Sequence, residues 1–189
     1  MLLHLPSRLR SLSRVYPRQY WLLLAGALIN TIGMGFVWPF LNIYLTEQMG
    51  IPLSVATMLP LLEQSVSLFT ALGAGTIADR YGRKGLMVLS LGAVSGVYVL
   101  MAFAGAWWMF VALMALRGFF MPLYRVAGDT MVGDLITDEE RRLPAYSLSR
   151  TVNNVGVAIG PVLGGVVAAY SYRASFLAAA GTLAFFALL

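Results

Sequence analysis

Along most of this chain the apolar residues do not alternate with polar ones; they run on in long stretches, broken by short clusters of charge. Six such stretches can be drawn, at 20–45, 54–78, 85–105, 107–126, 145–169 and 174–189. Most come close to or exceed the roughly 20 residues that a helix needs to cross a bilayer core. The clearest break is GTIADRYGRK at 75–84, three basic groups and one acid between two apolar runs. Charge is not stable in hydrocarbon, so such a cluster marks a membrane boundary. Lipid offers no partner to a free N–H or C=O, and long runs with scattered Gly and Pro satisfy their backbone as helices rather than barrel strands. The pattern predicts an all-α membrane protein: a basic cytoplasmic segment over 1–19, then a bundle of six transmembrane helices over 20–189.

Composition agrees. Hydrophobic residues make up 59% of the chain and charged residues 11%, with a mean hydropathy of +0.78, outside the range of soluble domains. There is no Cys and the single His is His4, which excludes thiol chemistry and His-based metal sites; no cofactor is implied. No nucleophile–base pair or phosphate-binding Gly loop stands out, so the chain does not read as an enzyme. The run Asp138, Glu139, Glu140 beside Arg141, Arg142 and Pro144 reads as a solvated loop opening the fifth helix.

The net charge of +5 follows membrane topology and not a nucleic-acid surface. With the N-terminus inside, Arg8, Arg10, Arg14, Arg18, Arg80, Arg83, Lys84, Arg125, Arg141, Arg142 and Arg150 fall on the cytoplasmic side and only Arg173 falls outside. This predicts a multi-pass protein of the inner (plasma) membrane. The basic start followed by an apolar run mimics a signal peptide, but the run continues through Trp38 and Pro39, so it reads as a retained first span. Before it, Leu2, Leu3, Leu5, Leu9 and Leu12 among Arg8, Arg10 and Arg14 fit either an interfacial helix or a disordered basic tail.

Gly75, Ile77, Ala78 and Arg83 echo ninety positions later as Gly165, Val167, Ala168 and Arg173. One copy follows the second span and the other follows the fifth, on opposite sides, as in a 3+3 inverted repeat. Chance similarity in Gly/Ala-rich sequence is the alternative. The sixth run stops at Leu189 without a basic flank, so the chain reads as the first half of a larger protein.

Several of these motifs together resemble the major facilitator superfamily, specifically its N-terminal six-helix half, and within it the drug:proton antiporter branch. GTIADRYGRK, with Gly75, Arg80, Gly82 and Lys84, resembles that family's loop GxLADRxGRK, with Ile77 in place of Leu. GVAIGPVLGG, with Gly156, Gly160, Pro161, Gly164 and Gly165, resembles the fifth-helix motif GxxxGPxxGG. Arg117 resembles the fourth-helix arginine, and Tyr172, Arg173 and Phe176 resemble WRxxF with Tyr for Trp. The pattern departs where the family carries Gly four residues after that arginine, since this chain has Met121 and then Pro122. The first span lacks the acid of several antiporters and offers Asn30 and Asn42 instead. The resemblance implies a secondary active transporter working by alternating access, most simply a proton-coupled exporter of drugs or small amphipathic metabolites. A nutrient uniporter or symporter is the alternative, and a non-transporting half-length protein another. The implied partners are a small-molecule substrate, protons, membrane lipid, and a C-terminal six-helix half or a second copy. The resemblance also implies a latch in which Asp79 and Arg83 engage Asp134, with Asp129 as a substitute.

Physical reasoning adds roles to individual residues. Glu63 and Arg117 are the ionisable groups placed well inside spans, which marks them as functional candidates. Glu63 precedes Asp79 by sixteen residues and Arg117 precedes Asp134 by seventeen, so at 1.5 Å per residue each lies roughly 25 Å from its rim acid. At nearly equal depth they can meet or share a water cavity, as a proton-sensitive pair or a static buried one, and a Glu63 that snorkels outward is the further alternative. Gly156, Gly160 and Gly164 make a smooth stripe for close helix approach, and Pro161 bends the helix. Asn30, Trp38, Gln64, Met121, Tyr124, Asn153 and Asn154 are the substrate-cavity candidates, a set short of fixed charge that suits lipophilic guests. Trp107 and Trp108 read as interfacial anchors.

Overall fold

The computed structural model describes residues 15–189; the choice between an interfacial helix and a basic tail over 2–14 falls outside the described residues. These residues form α1 (Arg18–Gly35), α2 (Leu41–Glu47), α3 (Leu53–Ala56), α4 (Met58–Tyr81), α5 (Arg83–Phe103), α6 (Trp107–Leu135), α7 (Glu139–Tyr170) and α8 (Tyr172–Leu188), with no strand among them. Leu53–Tyr81, α5, α6 and α7 are four helical stretches long and apolar enough to cross a membrane, and α8 is a shorter apolar helix.

The first apolar run is not one helix. It breaks into turns at 36–40, where Phe36 N–H bonds back only three residues to the Gly33 carbonyl (3.1 Å) and Val37 N–H to that of Met34 (3.2 Å). Pro39 disfavours α-helical backbone at Trp38 and has no N–H to donate, so the interruption is local chemistry that hydropathy does not register. The second run divides likewise at Thr57 into α3 and α4. In the other direction, α6 runs on to Leu135 and α7 begins at Glu139, beyond the apolar limits at 126 and 145. Hydropathy measures the apolar thickness, and a charged segment in water remains a good helix. Asp138 caps α7 by accepting from the Glu140 N–H at 3.1 Å.

The helices pack side by side in alternating directions. One end gathers Arg18, Asp79, Arg83, Asp134 and Glu139; the other gathers Glu47, Trp107 and Arg173. The principal partners are α4 with α6, α5 with α6, α5 with α8, α1 with α7 and α1 with α8. Exchanging α1 with α6, α4 with α7 and α5 with α8 turns α4–α6 into α7–α1 and α5–α6 into α8–α1, and returns α5–α8 to itself.

The core lies where α5, α6 and α8 meet, with Leu91, Tyr98, Met101, Phe110, Met114 and Leu183 fully buried. At the Arg173 end, Tyr44 packs on Phe110, Tyr172 and Phe176 at centroid distances of 5.8, 5.3 and 5.5 Å. At the Arg83 end, the Tyr20 hydroxyl donates to the Ala145 carbonyl (2.8 Å) and ties α1 to α7. Two helices remain poorly covered: α4 leaves Leu68, Phe69 and Leu72 open, and α7 leaves Val157, Val162 and Val166 open.

Candidate functional site

Three local choices in sequence bring α4 against α6. Gly118 has no side chain, and a Cβ there would stand 2.6 Å from the Glu63 carbonyl oxygen. Pro122, four residues on, has no N–H for the Gly118 carbonyl. That carbonyl is satisfied instead by the Ser67 hydroxyl of α4 at 3.0 Å. In hydrocarbon such a cross-helix bond replaces the missing helical one.

The close approach places Glu63 and Arg117 in a buried ion pair, through Oε1 and Nη1. They are 4% and 2% exposed. Arg117 Nε donates to the Tyr98 hydroxyl of α5 at 3.0 Å. Its guanidinium lies 5.2 Å from the Trp38 ring centroid and 5.6 Å from that of Tyr98, a cation–π enclosure that stabilises the charge away from water. Glu63 Oε2 is buried with no hydrogen-bond partner. Trp38 therefore belongs to the ion-pair cluster rather than to an open cavity.

At the charged end, Arg83 bridges two acids, pairing with Asp134 at the end of α6 and lying 3.7 Å from Asp79 one turn back. Gly82 makes this possible. It sits at φ 83°, a left-handed conformation that breaks the chain between α4 and α5 and turns Arg83 toward α6. Asp129 does not join this group. Five residues before Asp134, it is rotated about 140° around α6 at 100° per residue. Asp129 instead lines a cavity. Arg80 lies over the Tyr81 ring at 5.9 Å, and Lys84 is exposed. Gly75 meets no neighbour among the described residues, since a Cβ there would find nothing within 4 Å.

The fifth-helix glycines pack against α1. A Cβ at Gly156 would stand 2.8 Å from the Thr31 Cβ, at Gly160 3.0 Å from the Ile32 carbonyl, and at Gly164 2.5 Å from the Gly35 carbonyl. Gly165 faces the Phe40 ring at 3.4 Å. Pro161 lies inside α7 at the Gly35 contact.

Between α1, α6 and α7 a cavity of about 420 Å³ is lined by Asn30, Met121, Tyr124 and Asn153. Asn30 Nδ2 donates to the Tyr124 hydroxyl at 3.3 Å, and Thr31 donates to Asn153 Oδ1 at 3.1 Å. Gln64 and Asn154 are exposed and do not line it. Gln64 follows Glu63, which is held in the ion pair, and Asn154 follows Asn153, which itself lines the cavity; in each case a step of one residue turns the side chain by 100°. The cavity also carries Arg125, Asp129 and Arg150, so it is not short of fixed charge. Sequence reading assigned both arginines to topology and missed Tyr98, Gly118 and Ser67 as well. The available signal was a polar group, or a Gly beside a charge, inside an apolar run.

The profile of the Major Facilitator Superfamily matches residues 23–189. The chain is 32% identical to the MFS-type transporter YqjV of Bacillus subtilis, over 76% of this chain and 35% of that one. It is 34% identical to a Na(+), Li(+), K(+)/H(+) antiporter of Planococcus maritimus, over 82% of this chain and 37% of the relative. It is 32% identical to a tetracycline resistance protein, class C, of Escherichia coli, over 80% and 38% respectively. The chain thus spans well under half the length of these relatives.

Proposed function

This chain belongs to the major facilitator superfamily of multi-pass membrane transporters, which move small molecules and are not enzymes, and from that premise we propose that it is the six-span portion of a proton-coupled exporter of small amphipathic molecules. It works by alternating access in the inner (plasma) membrane, with its Arg83 end in the cytoplasm. Orientation rests on charge: among the described residues Arg18, Arg80, Arg83, Lys84, Arg141 and Arg142 gather at that end and Arg173 at the other. The exchange symmetry of the packing pairs supports a 3+3 inverted repeat. Movement around one site needs a second bundle, supplied by six further helices or another copy.

The observation that carries proton coupling is the bare oxygen of Glu63. Oε1 holds Arg117, while Oε2 is buried without a partner, and a half-satisfied carboxylate in low dielectric is the group that gains most from a proton. Protonation at Oε2 neutralises Glu63 and weakens its hold on Arg117, which keeps its contacts with Tyr98 and Trp38. The α4–α6 contact then has two states of different charge, the requirement for coupling a proton to movement. The Arg83 bridge to Asp79 and Asp134 closes the cytoplasmic ends of α4, α5 and α6 in one of those states.

The test uses protein expressed from its complete reading frame in proteoliposomes. An imposed pH gradient should drive accumulation of at least one member of a panel of amphipathic acids, amines and neutral compounds, and a protonophore should abolish it. Glu63→Gln should remove the pH dependence while leaving counterflow of the same compound. A panel without a driven member, or coupling that survives Glu63→Gln, would sink the reading. Exchange of monovalent cations for protons is the second reading, favoured by the similarity to the Planococcus maritimus antiporter. A sodium or potassium gradient would then shift the internal pH without any organic cargo.

A further inference from the structure

The cavity between α1, α6 and α7 has a defined electrostatic make-up. Arg125 and Asp129 reach it from α6 and Arg150 from α7, while α1 contributes no charge. None of the three makes an ion pair among the described residues. Two guanidinium groups against one carboxylate leave the cavity positive. Arg125 lies deeper than Asp129 on α6: it precedes the rim residue Asp134 by nine positions, about 14 Å along the axis. Charge at that depth does not face lipid; it faces water or a guest.

The deep side of the cavity presents a second requirement. Asn30 is 2% exposed. Its amide nitrogen donates to Tyr124, while its Oδ1 is buried with no partner. An orphaned acceptor in an apolar surround costs free energy until a donor reaches it. Leu23, Leu24, Met34 and Val157 supply the rest of the lining. Tyr124 and Arg125 are consecutive, and Arg150 lies three residues, about 4.5 Å of axial rise, from Asn153. Asn30, Arg125 and Arg150 thus line one cavity of about 420 Å³, the size of a single small guest.

We propose that the guest of this cavity is a small amphipathic organic acid, its anionic group held between Arg125 and Arg150 and a hydrogen-bond donor at its other end held by Asn30 Oδ1. That the guest is cargo rests on the transport reading above; that it binds does not. Guanidinium forks match carboxylate geometry, and such charge-assisted bonds are roughly twice as strong as neutral ones. Asp129 sets the balance by reducing the excess of positive charge.

Three probes of one shape separate the possibilities: indole-3-acetate, indole-3-acetamide and tryptamine, titrated calorimetrically into the protein from its complete reading frame in nanodiscs, with empty nanodiscs as blank. The acid should bind at least on the order of tenfold more tightly than the amide or the amine, and Arg125→Gln and Arg150→Gln should each erode that preference on the order of tenfold. Asp129→Asn should tighten acid binding. All three side chains belong to exposed residues, so these variants are expected to fold, with helical circular dichroism as the check. Binding of none of the probes, binding without preference for the acid, or a preference that survives the double arginine variant would overturn the proposal. Acid-selective binding without pH-driven uptake would instead overturn the transport reading and leave the site. Driven uptake without acid preference would overturn the site alone.

Discussion

Gly118 lies directly on the backbone of Glu63, so closely that a Cβ would stand 2.6 Å from the Glu63 carbonyl oxygen and 3.2 Å from its Cα. The contact is a consequence of sequence at three neighbouring positions. Gly118 allows the approach, Pro122 removes the donor that the Gly118 carbonyl would otherwise have, and Ser67 supplies a replacement from the facing helix. Arg117 then sits where its guanidinium meets Glu63 in place of lipid. The ion pair is built by the backbone spacing beneath it.

Gly118→Val should separate α4 from α6. The added carbons meet backbone atoms, which do not yield as a flexible side chain would, and overpacking of this kind costs about 1–3 kcal/mol. Thermal unfolding in detergent should show the loss. Ser67→Ala should lose less, about 1 kcal/mol, by leaving one carbonyl unpaired. Equal stability of Gly118→Val and the parent would mean that the helices do not meet at this point.

Removing one member of a buried ion pair costs more than removing both, because the survivor is left charged in a dry site. Arg117→Met alone is expected to destabilise by about 3–5 kcal/mol, whereas Glu63→Leu with Arg117→Met should recover most of that loss. A double-mutant cycle on unfolding measures the coupling directly. Additive losses would show that the two side chains do not interact.

Part of this arrangement is legible in the sequence. Spacings of sixteen residues to Asp79 and seventeen to Asp134 put Glu63 and Arg117 at nearly one depth, and the structure pairs them. What hydropathy leaves out is azimuth. Glu63 turns into the α4–α6 contact, so Gln64 points away and does not reach the cavity. Asp129 and Asp134 share a helix end but opposite faces, so Asp134 meets Arg83 and Asp129 does not. The break at 36–40 was likewise hidden, since turn and helix have the same apolar composition and only Pro39 distinguishes them. Arg125 and Arg150 look like topogenic charges in a one-dimensional reading, because a cavity between three helices exists only once the helices are assembled.

The Arg83 bridge should act on conformation far more than on stability. Side-chain exposures of 31% for Arg83 and 53% for Asp134 put the pair in high dielectric, where it adds little to stability and is screened by salt. Asp134→Asn should therefore barely move the unfolding temperature. It should, however, change how fast a cysteine introduced at Ser149, at the cavity, reacts with a polar maleimide. Residues 1–189 contain no Cys, and labelling of the parent protein is subtracted as background. A labelling rate identical to the parent at both low and high salt would exclude a gating role.

Two glycines make opposite demands. At Gly164 a Cβ would stand 2.5 Å from the Gly35 carbonyl oxygen and 2.8 Å from the Phe36 Cα, whereas at Gly75 it would find nothing within 4 Å. Gly164→Ala should push α7 off α1 and cost about 1–3 kcal/mol. Gly75→Ala should leave these helices intact and, from helix propensity, stabilise α4 by up to about 1 kcal/mol. The pair becomes informative when stability and transport are measured together. If Gly75→Ala unfolds at or above the parent temperature yet transports poorly, the smooth face of α4 at Gly75 is needed against a surface outside residues 15–189, one that moves past it during the cycle. If it transports normally, the open face carries no such demand, and the loop's role falls to Arg83, whose bridge holds without Gly75.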